Sequence, residues 1–294
     1  TRASMDQVDA LQHALHFSNT LQPPATSPES QQQAQYFFSA YTMPAQGLQM
    51  MMGMEGEEVM KKMFRQYFAD HQFSHVTPAH LSNSFEQACD CDLSWYFDGW
   101  IHHAHEIDYR ISHFDREKKE VTFVNHGPAD IPLRFNTYKD GQQIREHTLN
   151  GFKGEMTTHL AHRADEIHLY EGFMGVNRHW SSNINPRSLI PRFGFMPKIE
   201  SYRSPTIGIT PAFGYNLADG FMAGVALSSG LLPQQHFKFV VAPLYGKKSK
   251  KIRGYANFRY INDLKSGPFD KFLLSLAFDD FGYNVDTHYL FRDH

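Results

Sequence analysis

The chain is predicted to be α+β, with an N-terminal helical region followed by an antiparallel β-sandwich and then a further antiparallel, barrel-like β region. Three observations carry this expectation. Apolar residues recur at helical spacing as far as Trp100. From Glu106 the repeat switches from 3.6 to 2 residues. The last third holds longer two-faced strands joined by Gly- and Lys-containing turns. These changes divide the chain into residues 1–103, 104–185 and 186–294, the last either a partial sheet packed on the sandwich or one cut short.

At 294 residues the chain is long enough for two domains with separate cores. Its 28 basic and 31 acidic residues give a net charge of -3, which offers no electrostatic footprint for nucleic acid. Aromatic residues at 14% argue for much half-buried β surface. No run approaches the roughly 20 apolar residues of a membrane-spanning helix. Cys89 and Cys91 are the two cysteines. On a helix they would point in different directions, so buried thiols are expected rather than a mutual disulfide or a metal site. The first residue is Thr1 and not Met, which reads as a cut end with sequence missing upstream.

Residues 3–18 are predicted to form a helix with Met5, Val8, Leu11 and Leu15 on its apolar face. A linker holding Pro23, Pro24 and Pro28 follows. Beyond Tyr41, Leu48, Met51 and Met52 continue an apolar face, and Pro44 either bends this helix or marks its first turn. Glu57 and Glu58 place negative charge at the next helix N-terminus, where the dipole favours it. Val59, Met60, Met63, Phe64, Tyr67 and Phe68 then repeat at helical spacing as a core stripe. Thr77-Pro78 is an N-cap with Pro at the first helical position, leading to Leu81, Phe85 and Ala88. Asp92 caps a short helix that buries Leu93, Tyr96, Phe97 and Trp100.

The alternating segments come next: Ile107, Tyr109 and Ile111; Val121 and Phe123; Ile131, Leu133 and Phe135. Asp140-Gly141 is a hairpin turn, and Met156, Thr158, Leu160, Ile167 and Leu169 complete the set. Their number and spacing suggest the sandwich. Residues 185–204 read as irregular. After them come strands around Phe221–Leu227, Phe237–Val241, Ile252–Tyr260 and Phe272–Phe278. A closed membrane barrel needs at least eight strands, and about five or six are legible here.

The stretch from Tyr41 to Trp100 resembles the C-terminal part of the catalytic domain of the M1 family of zinc aminopeptidases. Tyr41, Pro44-Ala45, Gly47-Leu48, Met50-Met51 and Gly56-Glu57-Glu58 fall in that family's register. So do Tyr67, Phe73, His75, Thr77-Pro78, Phe85-Glu86 and the run from Asp92 to Trp100. The later regions are similar to a branch found in Bacteroidetes-type bacteria, in which the peptidase continues into a β-sandwich and a barrel-like domain. The segment PAFGYNLADGFMAGVALSSGLLPQQHFKFVVAPLYG resembles the start of that last domain.

The resemblance implies hydrolysis of N-terminal residues from peptides, with Tyr41 as the catalytic residue donating its phenol proton to the oxyanion of the tetrahedral intermediate. It implies zinc in the complete parent protein, a peptide substrate, and a setting in the cell envelope, with outer-membrane association through the C-terminal β region. The zinc-binding H-E-x-x-H motif and the Gly-Ala-Met-Glu-Asn loop are absent from the sequence, and both are expected upstream of Thr1. No cofactor is therefore expected in this chain alone, nor turnover by it. The second reading is a non-catalytic envelope protein that keeps the helical and β modules for binding or as a scaffold. Of the other polar groups, His102, His103 and His105 read as a solvated turn, and His159 and His162 as strand-edge residues. Lys247, Lys248, Lys250 and Lys251 form a basic hairpin tip, either solvated or facing anionic lipid headgroups.

Overall fold

The computed structural model describes residues 7–17, 20–103, 106–171, 176–178, 180–199, 202–231, 235–263, 269 and 271–282. It is an α+β chain, with a helical N-terminal region followed by several antiparallel sheets. Two compact units are present, Met5–Arg187 and Ser188–His294.

The first unit opens with α1 (Gln7–Phe17). Its buried face differs from the expected one: Val8 and Leu11 are exposed, while Ala10, Gln12, His13 and His16 are buried. Of the other predicted face residues, Leu15 is half-buried and Met5 lies outside the described residues. Polar pairing explains the choice of face. Gln12 and Gln46 exchange side-chain hydrogen bonds at 2.9 and 2.8 Å, and His13 Nε2 donates to the Arg178 carbonyl at 2.7 Å.

A short α2 (Gln33–Phe37) runs into a single π turn, Phe38–Thr42, and then into α3 (Met43–Glu55). Pro44 sits in the first turn of α3, where its missing N–H costs nothing. Gly56 (φ 86) breaks the chain direction, and α4 (Glu57–His71) begins with its two glutamates beside Lys61. Within the Met stripe, Met60 and Met63 are buried, but Phe64 and Phe68 are exposed. Thr77 caps α5 (Pro78–Cys89) through a capping box closed by His80. Asp92 accepts the Ser94 N–H at 2.8 Å ahead of a π-helical segment, Trp95–His102, which buries Tyr96, Phe97 and Trp100.

Cys89 and Cys91 are joined by a disulfide, contrary to the expectation of two free thiols. The expectation placed both residues on one helix. Instead, α5 ends at Cys89, and Asp90 takes a left-handed conformation (φ 56). That reversal brings the two Cα atoms to 5.2 Å, within bridging range.

The strands that follow form two sheets. β1 (Tyr109–Asp115), β2 (Glu120–Asn125) and β5 (Gly154–His159) make one, in the order β1-β2-β5. β3 (Leu133–Lys139), β4 (Gln142–Leu149), β6 (Glu166–Leu169) and β7 (Ile184–Asn185) make the other, in the order β4-β3-β6-β7. Asp140-Gly141 forms the turn between β3 and β4, both with positive φ. Phe123 of β2 meets Phe135 of β3 at 4.9 Å between ring centroids. One hydrophobic cluster runs from Met43 on α3 through Trp100 to Val176, so the helices and both sheets share a core.

The second unit is one six-stranded sheet in the order β13-β12-β11-β10-β9-β8. β8 (Arg192–Phe195) lies within the stretch read as irregular and pairs in parallel with β9 (Thr206–Asn216). β10 (Gly220–Ser229), β11 (Phe237–Gly246), β12 (Lys251–Asp263) and β13 (Lys271–Asp280) continue as an antiparallel meander. The barrel-like expectation is corrected here. Among the described residues β13 and β8 stand at opposite edges and no sheet closes on itself.

Candidate functional site

Tyr41 occupies the π turn between α2 and α3. The extra residue in such a turn rotates side chains out of the normal helical stripe, and π turns recur at functional positions. Here Phe38 and Ser39 turn inward, while Tyr36, Phe37 and Tyr41 are turned out to solvent. Tyr41 is 59% exposed. Its ring meets Tyr36 edge-on at 5.7 Å and lies tilted to Phe37 at 6.4 Å. The Tyr41 hydroxyl, hydrogen-bonded to Tyr36, pushes the Tyr36 phenol above its ordinary range.

The backbone beneath Tyr41 is held firmly. Trp100 Nε1 donates to the Met43 carbonyl at 2.6 Å, and Tyr96 donates to the Pro44 carbonyl at 3.4 Å. Ser39 Oγ donates to the Gln22 carbonyl at 2.7 Å. Burial pushes the Tyr96 phenol up to about 12, so it serves as a fixed donor. Gly47 lets α3 approach this aromatic segment closely, since a Cβ there would lie 2.4 Å from the Tyr96 ring. A solvent-facing phenol on an immobilised backbone can donate a hydrogen bond to a developing oxyanion with little reorganisation.

A buried polar network in the four-stranded sheet was not singled out in the sequence. His168 on β6 is buried, stacks on Tyr138 at 4.2 Å and meets Glu166 at 3.0 Å and Glu171 at 3.5 Å. Burial pushes the Glu171 carboxyl up, but hydrogen bonds from His168, Tyr138 and Asn136 outweigh it and hold it at about 2. Strict alternation hid this group, because β6 buries Ile167, His168 and Leu169 in succession. A separate cleft of ≈ 690 Å³ lies beside Trp95, Asp98 and the 128–132 and 150–153 loops. Two of its four carboxylates are engaged locally: Asp92 with Ser94, and Asp130 with Lys153 at 3.6 Å.

The structure leaves the predicted histidines apart. His102 and His103 are exposed, with His103 Nδ1 donating to the Asp98 carbonyl at 2.6 Å, and His105 lies outside the described residues. His159 pairs with Glu120 at 3.5 Å, and His162 is exposed. The lysines Lys247, Lys248, Lys250 and Lys251 form an exposed tip between β11 and β12. Among the described residues no group of three or more His, Cys, Asp or Glu side chains could hold a metal ion. Zinc, attached to the chain by its resemblance, therefore finds no ligand set among the described residues. No family model and no curated protein matches the chain.

Proposed function

We propose that the chain is the C-terminal portion of an M1-like peptidase that removes N-terminal residues from peptides. Tyr41 supplies the proton-donating phenol that steadies the oxyanion of the tetrahedral intermediate. One observation carries the reading: the tyrosine that begins the family-like register stands exposed in a π turn, on a backbone held by Trp100 and Tyr96. A packing tyrosine would instead be buried against the chain's own core, as Tyr96 and Tyr109 are. The three- and four-stranded sheets are read as the two layers of the family's β-sandwich, on the strength of the Phe123–Phe135 contact. The Cys89–Cys91 disulfide fits an oxidising compartment such as the cell envelope.

The test is kinetic and uses the complete protein. Tyr41→Phe is expected to lower kcat for aminoacyl reporter amides while leaving KM nearly unchanged, because it removes an interaction made only in the transition state. A KM effect alone would place Tyr41 in substrate binding and overturn the role assigned to it.

A further inference from the structure

Among the described residues, the outer strands of the three sheets are β1, β5, β4, β7, β8 and β13, and all but the last are blunted. The pairing register skips Ser112 on β1 and Ile144 on β4, and β4 also carries Arg145 and Glu146 mid-strand. β5 has six residues with Glu155 among them, β7 has two and β8 four. Short strands, bulges and mid-strand charges are the means by which an edge avoids pairing with another chain. β13 uses none of them. Its ten residues, KFLLSLAFDD, pair with β12 without a register shift and include no proline. Charge is confined to Lys271 at one end and Asp279 and Asp280 at the other, and all ten residues are exposed.

We propose that the outer edge of β13 is a dimerisation surface whose occupant is β13 of a second copy of this chain. The two strands pair antiparallel about a two-fold axis at Ser275, so that two six-stranded sheets become one continuous sheet. The composition of the strand selects both partner and register. In an antiparallel pair, directly opposite side chains lie on the same face. With Ser275 opposite its own copy, Phe272 meets Phe278, Leu274 meets Leu276 and Leu273 meets Ala277 of the other strand. Each Lys271 then meets an Asp279. The strand is thus complementary in charge to its own reverse, which a two-fold contact requires. Asp280 is already engaged by Arg253 at 2.7 Å, whereas Asp279 makes no ion pair among the described residues.

Other registers fit less well. A one-residue slip in either direction joins the Phe272, Leu274, Leu276 and Phe278 row of one copy to the Leu273, Ser275 and Ala277 row of the other. A two-residue slip sets Lys271 opposite Ala277 or Phe281 and loses the charge match. In the proposed register Phe272, Leu274, Leu276 and Phe278, which are 47–61% exposed, gain the cross-strand apolar pairs that stabilise neighbouring strands. The outward backbone N–H and C=O groups of β13 gain partners as well. This inference stands apart from the peptidase reading, since Tyr41 belongs to the other unit and neither test reports on the other.

The experiment uses the full chain in detergent-free buffer. Sedimentation velocity should show a dimer. Lys271→Asp sets like charges opposite each other at two places and should weaken the dimer roughly ten-fold. Combining it with Asp279→Lys should restore the dimer. Ser275→Cys should cross-link to itself on mild oxidation, because the two copies of residue 275 face each other. Ala277→Cys should not, since its two copies stand about 13 Å apart along the strands, but it should cross-link when mixed with Leu273→Cys. The native cysteines are joined to each other and do not compete. Three results would each overturn the proposal. A monomer at every concentration would mean that the edge is unused or covered by the chain's own residues. A dimer that Ser275→Cys fails to cross-link would place the contact elsewhere. Self-linking of Ala277→Cys as efficient as that of Ser275→Cys would refute the register. The cysteine variants introduce no charge and decide the matter if the charge-swapped ones fail to fold.

Discussion

Tyr41 is exposed because a single extra residue in the helix turns it out, and the residues that hold that turn decide whether it can work. Gly47 is the most exacting of them. A methyl group there would lie within van der Waals radii of both Tyr96 and Trp100, so Gly47→Ala is expected to cost roughly 1–3 kcal/mol in urea unfolding. A neutral result would mean that α3 and the aromatic segment can part without loss. Two titratable groups, the buried His16 and the half-buried Glu171, set the acid response. Burial, with the charges of His13 and Arg178, lowers His16 from 6.5 to about 3. The unfolded chain binds the proton first, so stability falls as pH drops from 6.5 toward 3. Glu171, held at about 2, adds a second loss between 4.5 and 2. Comparing urea midpoints across this range, His16→Leu should flatten the upper part of the decline by up to roughly 4 kcal/mol. An unchanged slope would show that His16 is protonated in the folded chain. Neither group was legible in the sequence. His16 reads as the polar side of α1 until Gln12, Gln46 and His13 are seen paired beneath it.

At the level of elements, periodicity located the helices but did not always choose their faces. The α4 stripe offered six apolar positions, of which Met60 and Met63 face the core while Phe64 and Phe68 are exposed. Met63→Ala should therefore cost about 2–5 kcal/mol, and Phe68→Ala less than about 0.5, both by chemical denaturation. Comparable losses would mean that Phe68 is covered in solution. Caps and turns were the most legible signals, because their chemistry is local: Thr77-Pro78 and Asp140-Gly141 sit where their residue types demand, whereas Asp92 makes a turn bond to Ser94, which itself is the N-cap of the π-helical segment. The disulfide was illegible for the converse reason. It depends on Asp90 adopting a left-handed conformation, which spacing alone does not reveal. Strand β8 was missed because it is short and gains its place only by pairing with β9.

Over the whole molecule, the order of helices and then antiparallel sheets was readable from the change of period, whereas closure of the last sheet was not. Closure is a property of edges, and alternation within a strand says nothing about what pairs with its neighbour. Alternation does distinguish the two faces of β9–β13, one of which carries most of the exposed large apolar side chains. The π turn at Tyr41 lay equally beyond reach, since helical spacing on either side of it is unbroken in the sequence. The proposed function rests on that one phenol, and the sharpest test is the turnover of the complete protein carrying Tyr41→Phe, with Tyr67→Phe as its control. Removing an oxyanion donor should lower kcat by roughly 10²–10³ with KM little changed, and the control should alter stability but not rate. Full turnover by Tyr41→Phe would contradict the account and reduce Tyr41 to an exposed aromatic residue without a catalytic part.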